Sequence, residues 1–225
     1  MDEYIKPTFF LDYESSVIQN FIKQIISPDQ TETEKVVKLY YSVRDEVKYD
    51  PYRIILKKEN LRASSVLSRG YGYCVEKAIL LVACVRAIGI PSKIGFANVK
   101  NHLTSKRLYE LMKSDIFVFH GYADILLNNS WVKATPAFNR SLCEKTNTLP
   151  LEFDGISDSI FHPIDKTGKK HMEYIHDYGS FPDLPFDTML SEYIRFYPHL
   201  KIDSTGTFGP VKIQGEFENE AVREL

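Results

Sequence analysis

The sequence predicts an α+β fold in which N-terminal helices and one buried helix pack on an antiparallel sheet. Apolar residues recur at three- and four-residue steps through the first fifty residues, which is the period of amphipathic helices. A nearly continuous apolar run follows over residues 75–88, and after it come segments typical of strands. Because the helices precede the strands instead of alternating with them, the order favours an α+β arrangement.

Two amphipathic helices are predicted near the N-terminus. In residues 12–27 the apolar side chains lie four residues apart, and a Ser-Pro pair ends the pattern. The second helix is expected to begin at a Thr31 or Thr33 cap and to end before the Asp-Pro pair at residues 50–51. A short helix or turn is expected over residues 62–69, ahead of a glycine-broken aromatic segment.

The third main helix is predicted to be central. From Val75 to Ile88 apolar residues cover nearly every face, so this helix should be buried, and Gly89 supplies its C-terminal stop. The segments that follow are a strand over 92–99, a short exposed helix over 104–114, a strand over 115–127 and a partner strand over 130–138. Asn128-Asn129 should form the tight turn between the last two strands.

The remainder of the chain is less regular. Residues 161–175 suggest a hairpin around Lys166-Thr167-Gly168, and residues 188–197 suggest a further helix, while the charged last twenty or so residues are expected to be poorly ordered. With 225 residues and neither a repeat nor a linker, we expect a single domain over 1–225. Its motif core would cover about 64–139, and 140–225 would be a C-terminal extension.

Composition excludes several classes of protein. The 28 basic and 30 acidic residues nearly balance, so neither a nucleic-acid footprint nor an anionic-membrane patch is expected. The acidic N-terminus does not resemble a signal peptide, and the apolar run over 78–90 is too short to span a membrane. Three irregularly spaced cysteines do not suggest a disulfide framework. We therefore expect a cytoplasmic protein with a small neutral or polypeptide substrate.

Cys74 is the candidate nucleophile. It follows "SRGYGY" and begins the buried helix, where unpaired backbone N–H groups and the helix dipole stabilise a thiolate and lower its pKa. The same amides can stabilise the oxyanion that forms when a thiolate attacks a carbonyl group. The alternative is a packed core residue, because isolated cysteines are among the most buried side chains.

Two sequence blocks resemble the transglutaminase-like superfamily. "RGYGYCVEKAILLVACVRAIGIPSKIGFANV" is similar to its segment of Arg-Gly, nucleophilic cysteine, buried helix and Gly-Ile-Pro before a strand. "FHGYADILLNNSWVKATP" resembles its histidine strand, turn and tryptophan strand. The resemblance implies a papain-like core in which the helix bearing Cys74 packs on the sheet bearing His120, the general base. It implies thiol-dependent acyl transfer, most often amide hydrolysis in a peptide or small molecule, with no cofactor and no metal.

The third catalytic residue is where this chain departs from the family. The usual aspartate after the tryptophan strand is replaced, depending on register, by Lys133 or Thr135. Asn139 is the first candidate to orient His120, because an amide oxygen can accept the ring N–H without a buried charge. Asp154 is the second candidate and Thr135 the third. These three alternatives stay open at the level of sequence.

A second function follows from the missing aspartate. The chain could retain the fold as a binding or scaffold domain without catalysis, because fold and chemistry separate readily. A redox sensor that uses Cys74 would need a resolving cysteine nearby, and none is adjacent in the sequence. We expect Cys74 Sγ within about 4 Å of a His120 ring nitrogen if the site is catalytic.

Overall fold

The structure is a computed structural model that describes residues 1–102, 104–160, 167–168, 171–207 and 217–220. Its α-helices are α1 (Ser16–Ile25), α2 (Glu32–Glu46), α3 (Ala63–Arg69), α4 (Cys74–Ala87), α5 (Lys106–Met112), α6 (Arg140–Lys145), α7 (Phe186–Phe196) and α8 (Phe217–Glu220). Its strands are β1 (Lys48–Tyr49), β2 (Tyr71–Gly72), β3 (Ser92–Asn101), β4 (Ile116–Leu127), β5 (Ser130–Ala134) and β6 (Met172–Phe181). Short 3-10 helices cover Asp2–Tyr4, Lys58–Leu61 and Pro198–Leu200.

The N-terminal helices form where the periodicity predicts them. Thr31 caps α2 through a capping box with Glu34, and the Glu34 carboxylate accepts from the Thr31 N–H at 2.8 Å. The helix ends at Glu46, about three residues earlier than predicted. It ends there because Lys48–Tyr49 pairs in parallel with Tyr71–Gly72, so β1 and β2 form a small ladder beside α4.

Helix α4 is the centre of the molecule, as predicted. All of its residues from Cys74 to Arg86 are buried, and it packs against α2, α3, β3 and β4. Near its start, the Lys77 amino group donates to the carbonyl oxygens of Arg44 (2.8 Å) and Val47 (2.5 Å) at the end of α2. Since the last carbonyls of a helix lack intrahelical partners, Lys77 supplies buried hydrogen-bond donors at that C-terminus, where burial lowers the pKa of its side chain.

The far end of α4 is anchored by Arg86. Its guanidinium donates to the carbonyl oxygens of Ser92, Lys6 and Pro182 at 2.6–3.0 Å. This one side chain joins the helix to the start of β3, to the N-terminal segment and to the segment before α7. The Arg-Ala-Ile-Gly-Ile-Pro motif therefore fixes the orientation of α4 on the sheet.

The main sheet is antiparallel and has the strand order β5-β4-β3-β6. Asn128 and Asn129 both adopt left-handed backbone conformations (φ 50° and 63°), so the predicted tight turn joins β4 to β5. Helix α6 was not predicted from the sequence, and β6 was predicted only in its first residues, as the second arm of the hairpin over 161–175. β6 pairs with the outer edge of β3, about 80 residues earlier in the chain, and extends the sheet by one strand.

Helices on an antiparallel sheet confirm the predicted α+β class. α7 lies close to the predicted range and packs against β4. The predicted hairpin around Lys166-Thr167-Gly168 falls mainly on residues outside those described, as does most of the charged C-terminus. Within the described part of the chain, no helix is both long and apolar enough to cross a membrane.

Candidate active site

Cys74 occupies the first position of α4, directly after the capping residue Tyr73. Its side chain is buried, with 8% of the residue exposed. The backbone amides of Gly121, Val75 and Cys74 itself lie near enough to the sulfur to lower the pKa of the thiol. The predicted helix-start environment is therefore present, and β4 contributes a further amide that sequence analysis did not anticipate.

The segment before Cys74 is held by a buried ion pair between Arg69 and Glu76. Glu76 also accepts from the Tyr73 N–H at 3.0 Å, and Arg69 donates to the Tyr71 carbonyl at 2.9 Å. Gly72 leaves room for this carboxylate, because a Cβ at that position would lie 3.0 Å from Glu76 Oε2 and would crowd the ion pair. The ion pair thus clamps the backbone that places Cys74 at the helix start, and burial raises the pKa of Glu76 to about 7.

His120 lies on β4 beside a β-bulge. The β3–β4 register shifts between Ala97 and Val99, and Phe119, the residue before His120, has a φ of 54° in the left-handed region. Asn98 occupies the bulge and accepts from the Phe119 N–H at 3.2 Å through Oδ1. Its Nδ2 donates to the Tyr178 hydroxyl at 3.1 Å. Asn98 therefore holds the irregular backbone that sets the direction of His120.

The close approach of β4 to α4 places the two candidate side chains at one cavity. A Cβ added to Gly121 would lie 2.8 Å from Val75 Cα and 3.3 Å from the Cys74 carbonyl oxygen. Only glycine allows the strand after His120 to lie directly on the first turn of the helix. Cys74 and His120 consequently line the same cavity, which has a volume of about 830 Å³.

Burial makes the resting pair electrically neutral. Burial raises the pKa of Cys74 to about 11, although the amides of Gly121 and Val75 lower it. Burial also lowers the pKa of His120 to about 4. The helix-start effect predicted from the sequence is therefore present but is outweighed by desolvation. Neither residue is among the groups that shift the pKa of the other. Both side chains lie in the described part of the chain, and no hydrogen bond joins them.

Asn139, the first candidate for the third catalytic residue, is buried beside α6. Its Oδ1 accepts from the Tyr49 N–H at 3.0 Å, and its Nδ2 donates to Ser141 Oγ at 2.8 Å and to Glu218 at 3.4 Å. None of these bonds goes to His120. The amide instead ties β1 to the start of α6 and to α8.

The other two candidates also bond elsewhere. Thr135 Oγ1 donates to the Ile160 carbonyl at 2.9 Å, and Asp154 lies in an exposed loop where it accepts from the backbone amides of Ile156 and Ser157. Among the described residues, burial is the cause that shifts the pKa of His120, with no carboxylate opposing it. The structure thus brings Cys74 and His120 to one cavity and leaves the three proposed orienting groups bonded to other partners.

The positioning residues Asn98, Glu76 and Gly121 were not identified from the sequence. Glu76 lies two residues after Cys74 and Gly121 directly follows His120, within the two blocks quoted above, so closeness to these residues in the sequence was a usable signal for both. Asn98 gave no such signal, since its role depends on a bulge formed with a strand twenty residues away. In the described part of the chain, no group of three His, Cys, Asp or Glu side chains is placed to hold a metal ion.

This chain has low similarity to solved structures of other proteins and matches one family model. A search of curated proteins finds no match. Among solved structures, a protein from Cytophaga hutchinsonii that is provisionally described as a cysteine protease is 13% identical (TM-score 0.46), covering 79% of this chain and 53% of that one. A protein from Parabacteroides distasonis, provisionally described as a protease, is 20% identical (TM-score 0.38), covering 56% and 25%.

This chain therefore spans about half of the first of these structures and a quarter of the second. Both sequence identities and both TM-scores are too low to support a statement about the activity of this chain. The family model named "Transglutaminase-like superfamily" matches residues 19–136, which is more than half of the chain and contains both Cys74 and His120. On the strength of that match, this protein belongs to the transglutaminase-like superfamily.

Proposed function

We propose that this protein catalyses thiol-dependent acyl transfer, with hydrolysis of an amide bond in a peptide or small molecule as the favoured reaction. One observation carries the proposal. A cysteine at the start of a buried helix and a histidine on the adjoining strand line one cavity, and backbone amides lie near the sulfur. That combination supplies a nucleophile, a proton acceptor and donors for an oxyanion.

The proposed reaction starts from a neutral Cys74 thiol and a neutral His120 imidazole. Cys74 Sγ attacks the carbonyl carbon while His120 takes the thiol proton, and the backbone amides stabilise the oxyanion. The tetrahedral intermediate collapses as the C–N bond breaks, and the leaving amine receives the proton from His120. A water molecule then attacks the thioester, giving its proton to His120. The carboxylic acid leaves and the thiol is restored.

Trapping of the acyl-enzyme tests this proposal. Incubation with p-nitrophenyl acetate and with longer acyl esters should add one acyl group to the tryptic peptide that contains Cys74, as measured by mass spectrometry. The His120→Ala protein should acylate at least about tenfold more slowly, because the general base is lost. Acylation of the buried Cys84 or Cys143 instead, or of no residue, would contradict a nucleophilic role for Cys74.

The alternative function is a binding or scaffold domain without turnover. The observation that favours it is that no carboxylate acts on His120 among the described residues, so that an imidazolium formed during catalysis lacks an anionic partner. The trapping experiment separates the two functions, because a scaffold domain would form no thioester at Cys74 with these esters.

The orienting role of Asn139 stays a prediction. Asn139→Ala should lower the unfolding free energy by about 1–2 kcal/mol, because the buried Tyr49 N–H loses its acceptor. If Asn139 also orients His120 during turnover, kcat should fall by about tenfold to a hundredfold at unchanged KM. Ser141→Ala is the control, since it removes only a partner of Asn139 Nδ2. Wild-type kcat in Asn139→Ala would leave the residue with a structural role alone.

A further inference from the structure

The type of reaction does not specify which acyl group is transferred, but the residues that line the cavity beside Cys74 limit the choice. Its volume of about 830 Å³ lies in the range of sites for small molecules. Side chains from several separate elements form its apolar wall. These include Val99, Leu108, Leu111, Phe117, Phe138 and Tyr197. A cavity with such walls strengthens binding in proportion to the apolar surface that the ligand buries.

Charge is scarce along this wall. Among the described lining residues there is no aspartate or glutamate, the only lysine or arginine is Lys106, which is exposed at the start of α5, and the histidines are His102, His120 and His171. Burial holds the pKa of Cys74 high and that of His120 low at the same place. A cationic group that entered this space would lose its hydration and find no carboxylate among the described lining residues, and an anionic group would find its one permanent cation, Lys106, at the exposed rim.

We infer that the cavity receives an uncharged apolar acyl chain, of six or more carbons or with an aromatic ring, whose carbonyl carbon is presented to Cys74. This inference rests on the proposed function, because it names the substrate class of that reaction. It restricts the substrate to hydrophobic acyl amides and to short peptides with an apolar residue on the acyl side. Acyl groups with a charged side chain (lysyl, arginyl, aspartyl or glutamyl) are expected to react more slowly.

The preference can be measured without turnover by using methanethiosulfonate reagents. Each transfers an RS group to the thiol, forming a disulfide and releasing methanesulfinic acid. Methyl, hexyl, 2-aminoethyl and 2-sulfonatoethyl reagents would be compared, with peptide mass spectrometry used to follow Cys74. After division by the rate of each reagent with free cysteine, the hexyl reagent should modify Cys74 at least tenfold faster than the methyl reagent. Both charged reagents should be at least tenfold slower than the methyl reagent.

A pair of variants on α5 links the preference to this cavity. Leu111→Trp fills space at the cavity wall and should reduce the hexyl-to-methyl ratio at least fivefold. Tyr109→Trp is the matched control, because Tyr109 lies on the exposed side of the same helix at 51% exposure and does not line the cavity. The control should keep the wild-type ratio. Equal ratios in the two variants would overturn the assignment of the chain to this cavity.

Two further readouts separate failure of this inference from failure of the proposed function. If Cys74 forms acyl-enzymes but octanoyl and acetyl p-nitrophenyl esters acylate it equally fast, the inference fails and the function stands. If hexyl modification is favoured but no ester acylates Cys74, the function fails and the apolar site stands. If Cys74 reacts with no reagent, the inference is tested by calorimetry of octanamide binding to the Cys74→Ser protein. Absence of binding at millimolar concentration overturns the inference.

Discussion

Replacing Cys74 by alanine is expected to lower turnover of an acyl ester or amide by at least about a thousandfold, while the melting temperature changes little. The large loss follows because no other group near the cavity can form the thioester, and removal of a catalytic nucleophile leaves only the effects of binding and of oxyanion stabilisation. Stability should change little, since a single small side chain at the edge of the core is shortened. Steady-state kinetics and thermal unfolding of the same preparation measure both effects.

Cys84→Ala is the matched control for Cys74→Ala. Cys84 lies on the same helix and is fully buried, but it does not line the cavity. It should keep wild-type turnover and lose stability instead. Turnover that survives in Cys74→Ala, or a large fall in its melting temperature with unchanged turnover, would show that the Cys74 thiol is present for packing.

The same proteins give a pH test of the site. Because burial raises the pKa of Cys74 to about 11, iodoacetamide labelling of the wild-type protein should accelerate steadily from pH 7 to pH 10. Cys74→Ala should lose this labelling. A rate that reached its plateau below pH 8 would indicate instead a thiolate paired with a His120 imidazolium.

Replacing Arg69 by methionine is expected to lower the unfolding free energy by about 3–5 kcal/mol at pH 8, because it leaves the buried Glu76 carboxylate without its ion-pair partner. The double variant Arg69→Met/Glu76→Gln should recover most of the loss, since no buried charge remains to be compensated. Urea unfolding of the wild type, both single variants and the double variant completes the cycle. An Arg69→Met protein as stable as the wild type would refute the role of the ion pair.

The pH dependence of stability gives an independent measure of Glu76. Burial raises the pKa of Glu76 to about 7, so the folded protein binds this proton more tightly than the unfolded chain does. The resulting stabilisation is complete below about pH 4.5 and is lost as the pH rises to about 7, a change of about 3 kcal/mol. In the Glu76→Gln protein, the unfolding free energy should not show this dependence on pH. The loss of unfolding free energy caused by Arg69→Met should likewise be smaller at pH 5, where Glu76 is protonated.

The elements that sequence analysis predicted are those whose signals lie within a few residues. The capping box at Thr31 and Glu34, the apolar run of α4 and the Asn128-Asn129 turn each act through neighbouring residues. The structure has these features where they were expected. The end of α2 was placed too late because β1 pairs with β2, whose residues lie more than twenty positions further along the chain.

In the candidate site, too, the sequence identified residues in local motifs but not partners that lie far apart in the chain. Cys74 was identified from its place at a helix start together with the resemblance to the transglutaminase-like superfamily, and His120 was identified through that resemblance, because both motifs are local features of the chain. The partners of Asn139 could not be derived, since Tyr49 and Glu218 lie about 90 residues before it and 79 residues after it. The role of Asn98 likewise depends on a bulge between two strands.

The sequence by itself determined the α+β class, the buried helix that begins at Cys74 and the strand that carries His120. The tertiary structure alone decided that β6 completes the sheet, that Gly121 brings His120 to the start of α4, and that the thiol and the imidazole are both neutral at rest. The reason is physical. Periodicity, caps and turns act between residues close in the chain, whereas strand pairing and desolvation depend on groups that only folding brings together.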